Sequence, residues 1–166
     1  MRKSKAAVGT SLFFALAPGV VAGLVPWLLT DWEVRGGDSW SGLRLPGLFL
    51  LAAGAGALVG AFVRFVVEGL GTPAPVAPTE HLVVGGLYRY VRNPMYVAVV
   101  AAILGQGLLF RQAVLFLWAG LVAAAVASFV HLYEEPTLRR RYGAEYDAYR
   151  AAVPRWLPRL RGPARS

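Results

Sequence analysis

The chain has 166 residues, 57% of them hydrophobic and 16% charged, with no cysteine and a formal net charge of +8. Soluble domains carry about a quarter charged residues, so this balance argues against a water-soluble fold, and the missing cysteines exclude disulfides, thiolate metal sites and a cysteine nucleophile. The basic residues flank apolar runs, which assigns them to membrane topology and anionic lipid heads and argues against nucleic acid as a partner.

The charges cluster at the N-terminus, around residues 31–44, around 80–92 and after Glu134. Between them lie apolar stretches of roughly 17–25 residues, enough to cross about 30 Å of hydrocarbon. The expected architecture is all-α and integral to the membrane, a single domain of four transmembrane helices with a C-terminal amphipathic helix at the interface. Residues 1–70 supply two N-terminal spans, and residues 71–160 the rest of the core.

The first span is predicted from about Ala6 to Leu29, after Arg2, Lys3 and Lys5. A basic start followed by an apolar run also describes a signal peptide, but this run is long, carries Pro18 and Pro26, and is followed by more spans, which favours a retained helix. Thr30 to Arg44 form a polar loop whose Trp32 and Trp40 suit the membrane interface. The second span covers about Leu45 to Val67. Within it, Gly56 and Gly60 are expected to form a small-residue packing face, since the glycine spacing is not that of a dinucleotide loop.

Residues 71–78 hold three prolines and predict a non-helical strap leading into Glu80–Arg92. The third span begins at Asn93-Pro94, a capping residue followed by a proline at the first helical position, and ends near Phe110. Gln106 lies at membrane depth and is expected to hydrogen-bond a neighbouring helix. Arg111-Gln112 makes a tight turn into the fourth span, Ala113 to about Tyr133. After Glu135-Pro136, the recurrence of Leu138, Tyr142, Tyr146, Tyr149 and Val153 predicts one amphipathic helix on the membrane surface. Pro154 ends it, leaving Arg155-Trp156-Leu157-Pro158 as a tail. Most arginines and lysines fall on one side of this arrangement, with Arg35, Arg44 and Arg111 on the other, so both termini are expected in the cytoplasm.

The chemistry concentrates at one end. The first turn of the third span presents backbone N–H groups beside Arg89 and Arg92, a place for a carboxylate or phosphate. Glu134 and Glu135 sit near the end of the fourth span, where the helix dipole disfavours negative charge. Pairing with Arg139–Arg141 would contribute little at a solvent-exposed site; contact with a cation is the functional alternative. The hairpin brings both features to one membrane face, so the pocket would suit a zwitterion with an additional positive centre. His81 and His131 are too few and too far apart for a metal site, and none is expected.

Gly86-Leu87-Tyr88-Arg89-Tyr90-Val91-Arg92-Asn93-Pro94-Met95-Tyr96, an apolar hairpin, and then Glu134-Glu135 with Leu138, Tyr142-Gly143, Tyr146, Tyr149 and Val153-Pro154 together resemble the isoprenylcysteine carboxyl methyltransferase family, whose wider group includes phospholipid N-methyltransferases. The resemblance covers roughly residues 71–160. It implies a membrane-embedded enzyme that uses S-adenosylmethionine, enclosed by the last two spans, the strap and the C-terminal helix. By resemblance, Glu80, His81, Leu82 and Val83 line the cofactor and Tyr88 is its aromatic neighbour. Asn93, Pro94, Met95 and Tyr96 match the family's His-Pro-x-Tyr cofactor motif, and Glu134 matches its cofactor-binding acid. Arg92 is expected to hold the cofactor carboxylate together with the helix start, and Glu135 to orient the nucleophile or accept its proton.

Two departures stand out. Asn93 replaces a histidine and cannot titrate. Val130 stands where the prenylcysteine enzymes carry an arginine that holds the substrate carboxylate. The cofactor half of the pattern therefore carries over and the carboxylate-holding half does not. The expected partners are membrane lipids and a lipophilic or lipidated acceptor, methylated on oxygen or on an amine. A non-catalytic scaffold that keeps the same hairpin is the rival of a different class.

Overall fold

The computed structural model describes residues 16–36, 41–69 and 81–159, and every regular element among these is helical. Four apolar helices, α1 (Leu16–Thr30), α2 (Ser41–Gly69), α3 (Pro94–Phe110) and α4 (Ala113–Tyr142), are followed by the short α5 (Ala144–Ala152). Two of them, α2 over Gly42–Arg64 and α4, are long and apolar enough to cross a membrane; α1 and α3 are shorter apolar helices. Phe49 on α2 is 72% exposed and Leu132 on α4 is 75% exposed, and rows of such side chains belong against lipid rather than water. The strap at 71–78, Glu80, Trp40 and the basic N-terminus lie outside the described residues.

α3 is the centre of the bundle. It packs against α4 and α1 through Val99, Ile103, Leu115, Ala119 and Val122, with Val21 and Ala22 laid against them. On its other side it runs antiparallel to α2 along small residues spaced by seven, Gly47, Gly54 and Ala61. A Cβ on Gly54 would lie 2.8 Å from the Ala98 carbonyl oxygen, and one on Gly105 would lie 2.5 Å from the Leu51 nitrogen. Backbones that approach this closely tolerate only glycine. Gly56 and Gly60, the pair expected to form a packing face, have open space around them among the described residues. The seam follows a seven-residue repeat that includes Gly54, and Gly56 lies about 200° further round the helix.

Two prolines shape the helices that carry them. Pro26 and Pro136 each come two residues after a π turn, Val20–Leu24 in α1 and Val130–Glu134 in α4. A proline inside a helix has no N–H for the carbonyl four residues back, and its ring collides with that carbonyl; a local i→i+5 turn moves the carbonyl aside. In α1 the Val25 N–H bonds to the Val20 oxygen, freeing the Val21 and Ala22 carbonyls from their usual partners. Trp118 Nε1 donates to the Val21 oxygen at 2.9 Å and Gln106 Nε2 to the Ala22 oxygen at 2.6 Å. Gln106 therefore makes the expected interhelical bond. Its Oε1 also accepts from Trp32 Nε1 at 3.2 Å.

The α3–α4 turn is as tight as expected. Arg111 is left-handed with φ 56°, and buried Gln112 donates through Nε2 to the Glu33 carbonyl at 2.8 Å. The C-terminal half departs from expectation. α4 does not end near Tyr133 but continues through Glu134-Glu135 to Tyr142, because the π turn absorbs Pro136. The single amphipathic helix expected from Leu138 to Val153 is broken at Gly143, whose φ of 52° and ψ of −123° are open to glycine alone. Tyr146 and Val153 are buried all the same, so the apolar stripe is used in two pieces.

Replacing Gly105 with Ala should overpack the α2–α3 seam and cost about 1–3 kcal/mol, whereas Gly56→Ala should be neutral or mildly stabilising. Thermal unfolding in detergent checks the order; equal melting temperatures for the two variants would remove Gly105 from a closely packed interface.

Candidate functional site

The site is assembled where α3 begins, the π turn of α4 ends and the chain beyond α5 returns. A π turn holds an extra residue, so Glu135 falls five residues after buried Val130 and takes the same inward side of the helix. In a regular α-helix that inward place would fall to Glu134 alone. With the π turn both acids serve: Glu134 Oε2 accepts from the Tyr96 hydroxyl at 3.1 Å, and Glu135 turns to the loop before α3.

Glu135 is held from two sides. Arg92 Nη1 lies 2.7 Å from its Oε1, and Arg155 grips both oxygens, Nε to Oε1 at 2.9 Å and Nη2 to Oε2 at 2.6 Å. The side chains of Arg92 and Glu135 are each 9% exposed and that of Arg155 is 30% exposed. Two guanidiniums on one carboxylate leave the cluster with a net positive charge. Arg92 Nη1 also donates to the Tyr146 hydroxyl at 3.3 Å, and Arg92 Nε is a buried donor with no hydrogen-bond partner. Burial pushes the Tyr146 phenol up, Glu135 adding to the shift and Arg92 opposing it, so the hydroxyl stays protonated beside the ion pair.

The tail and the loop are stitched together through the backbone. The Arg92 amide donates to the Pro154 carbonyl at 2.9 Å, and the Arg159 amide to the Tyr90 carbonyl at 3.1 Å. Asn93 was expected to cap α3 with its side chain, but it makes no such bond; Nδ2 donates instead to the Arg155 carbonyl at 3.2 Å. Below, the Tyr149 hydroxyl donates to the Tyr88 carbonyl at 2.7 Å. Gly86, with φ 56°, opens the short 3₁₀ turn Gly86–Arg89 with the Arg64 side chain laid against it.

Of the residues singled out from sequence, Arg92, Asn93, Tyr96, Glu134 and Glu135 are brought together around the start of α3, where Pro94 is also buried. Val83, Tyr88 and Met95 meet in a buried cluster with Ala61 of α2. Burial, and after it the Glu134 charge, push the Tyr88 phenol far above its ordinary value. Leu82 is half-buried and His81 is exposed, while Glu80 is outside the described residues.

Arg155 was missed as a site residue. One arginine after a proline reads as part of an interfacial tail, and its role follows only from the turn-back at Val153–Pro154. The one signal available was Glu135 itself, since a buried carboxylate needs cationic partners.

Residues 45–145 match the family of phospholipid methyltransferases. That range contains all of α2 but its first four residues, the whole of α3 and α4, the loop before α3 and both acids. No curated protein matches the chain.

Glu135→Ala would leave Arg92 buried without a counter-charge, a loss of about 3–5 kcal/mol by the usual cost of breaking a buried pair. Arg155→Ala should cost less, because Arg92 remains on the acid and Arg155 is partly exposed. Detergent unfolding with hydrogen exchange over 153–159 reads both effects. If Arg155→Ala left exchange there unchanged, the ion pair would not be what holds the tail.

Proposed function

The chain belongs to the phospholipid methyltransferase family, and we propose that it transfers a methyl group from S-adenosylmethionine to a lipophilic acceptor reached from the bilayer. Membrane residence and methyl transfer come with the family and with the apolar helices; the cofactor, the acceptor and the topology are our reading.

The observation that carries it is the pairing of opposite charges around one helix start. Arg92 brings an unpartnered, buried Nε–H to the start of α3, and Tyr96, in the first turn of that helix, contacts the Glu134 carboxylate. The cofactor has a carboxylate, an amine and a sulfonium. Its carboxylate fits Arg92 Nε with the N–H groups of the first turn, and its cationic parts fit Glu134. Tyr96 holds that acid in place, and buried Val83, Tyr88 and Met95 supply an apolar wall.

When bound, the cofactor would supply an electrophilic methyl on a sulfonium, whose S–CH3 bond would break in line as the acceptor's lone pair bonds to the methyl and the neutral thioether leaves. The protein's share is orientation and exclusion of water. Both Glu135 oxygens are taken by arginines, so we assign it a positioning role: it fixes Arg92 at the helix start and draws the 153–159 segment over the site. The nucleophile-orienting role expected for Glu135 would require it to leave one of these partners.

Between an acid and an amine as acceptor, one feature favours the amine. Val130, one helical turn before the Glu pair, is 1% exposed and offers no cation to hold a substrate carboxylate. Alkaline hydrolysis of the radiolabelled product separates the two, because methyl esters release their label and methylated amines keep it. A four-span topology with cytoplasmic termini is supported by the distribution of charge: Arg89, Arg92 and Arg139–Arg141 lie at one end of the helices, and Arg35 and Arg111 at the other.

Calorimetric titration of the detergent-purified chain with S-adenosylhomocysteine tests the reading. Saturable binding is expected, weakened about ten- to a hundredfold by Glu134→Gln or Tyr96→Phe, the range for losing a hydrogen bond to a charged group. A folded protein that does not bind would point to a non-catalytic scaffold.

A further inference from the structure

α4 has an outer face that changes chemistry abruptly. Leu117 is 67% exposed, Leu121 57% and Leu132 75%. Steps of four and eleven residues put the three on one side of the helix. Pro136 and Arg140 follow at intervals of four on that same side, so an apolar strip several turns long runs directly into an arginine. At its end is a cleft of about 420 Å³ lined by His131, Glu135, Pro136, Arg139, Arg140 and, from α5, Arg150.

The charges of the cleft do not cancel. Its acid, Glu135, has both oxygens turned inward onto Arg92 and Arg155. Arg139 touches Asp147 at 3.1 Å, but with side chains 62% and 45% exposed the pair is screened and weak. Arg140 donates to the Thr137 hydroxyl at 3.3 Å, a neutral partner that leaves its charge unbalanced. Arg150 is exposed on α5.

We propose that this cleft binds the headgroup of an anionic phospholipid of the surrounding bilayer, whose acyl chains start along Leu132 and run toward Leu121, about the depth of one leaflet. Guanidinium forks match phosphate oxygens in geometry as well as charge, and the volume suits a phosphodiester with its glycerol. The strip supplies an apolar surface that a soluble anion would leave bare, which selects a lipid over free phosphate. Arg139, Arg140 and Arg150 take no part in the Tyr96–Glu134 contact. Glu135 is the one residue the cleft shares with the ion-pair cluster, and both its oxygens are already held by Arg92 and Arg155. The lipid is a ligand distinct from the methyl acceptor.

The test uses the full chain reconstituted in nanodiscs of phosphatidylcholine and phosphatidylglycerol, with retained lipid read by native mass spectrometry. The wild type should retain phosphatidylglycerol in preference. Arg150→Gln should lower that retention about fivefold, and the triple variant Arg139→Gln, Arg140→Gln, Arg150→Gln should abolish the preference. Circular dichroism confirms that each variant is folded, and Arg150→Gln, at an exposed position, serves if the triple variant is not. Equal retention of the two lipids by the wild type, or undiminished retention in the Arg150 variant, overturns the proposal. So does displacement of the lipid by inorganic phosphate alone, which would make the cleft a simple anion site.

Discussion

A carboxylate that is nine-tenths buried cannot stay charged without close cationic partners, and here that demand falls on Glu135. It is met by Arg92 from the loop before α3 and Arg155 from the segment after α5, 43 residues before it and 20 after it. The arrangement of the site follows from this requirement. The loop is drawn against the end of α4, which sets where α3 starts and brings Tyr96 to Glu134. The 153–159 segment is drawn back across the same place, and its carbonyls are then available to the Arg92 amide and the Asn93 side chain. The triad is not there for stability alone, since a well-packed apolar trio could be as stable. It leaves a surplus positive charge at a helix start, something no apolar packing would provide.

The π turn is what lets two adjacent acids serve two partners. Adjacent residues on a regular helix point about 100° apart, so one of the pair would ordinarily face away from the interior. The wider turn that accommodates Pro136 also carries Glu135 into line with Val130. The proline and the acids thus form one device: the proline demands the bulge, and the bulge aims the carboxylates. α1 uses the same backbone arrangement for a different purpose, presenting carbonyls to its neighbours.

Much of this was legible in the sequence because it rests on local rules. The start of α3 at Asn93-Pro94, its end at Phe110 and the Arg111–Gln112 turn follow from the proline at the first helical position and from apolar length, and the structure places them there, although Asn93 does not make the capping bond expected of it. The meeting of Glu134 with the Asn93–Tyr96 turn follows from the shortness of the hairpin. What escaped depends on distant geometry. Gly56 and Gly60 have the familiar spacing, yet which glycines meet α3 is decided by the orientation of α2, and that orientation favours Gly47 and Gly54. Pro136 read as the end of a helix because a proline normally is one, and only a π turn lets the helix pass it. Gly143 sits inside an unbroken apolar periodicity, which masks the break it makes. Arg155 has no local signal; it gains a role only once the chain turns back.

The carbonyls of Val21 and Ala22 bear on how the bundle holds together. Their hydrogen-bond donors, Trp118 and Gln106, lie 97 and 84 residues later in the chain. Apart from α3 and α4, the backbone of α1 in its observed form would leave these two acceptors without donors, each at a cost of several kcal/mol in an apolar medium. α1 in this form is therefore complete only when packed in the bundle. The π turn ties the shape of one helix to the presence of two others, so that loosening either contact should let the turn relax toward a regular helix.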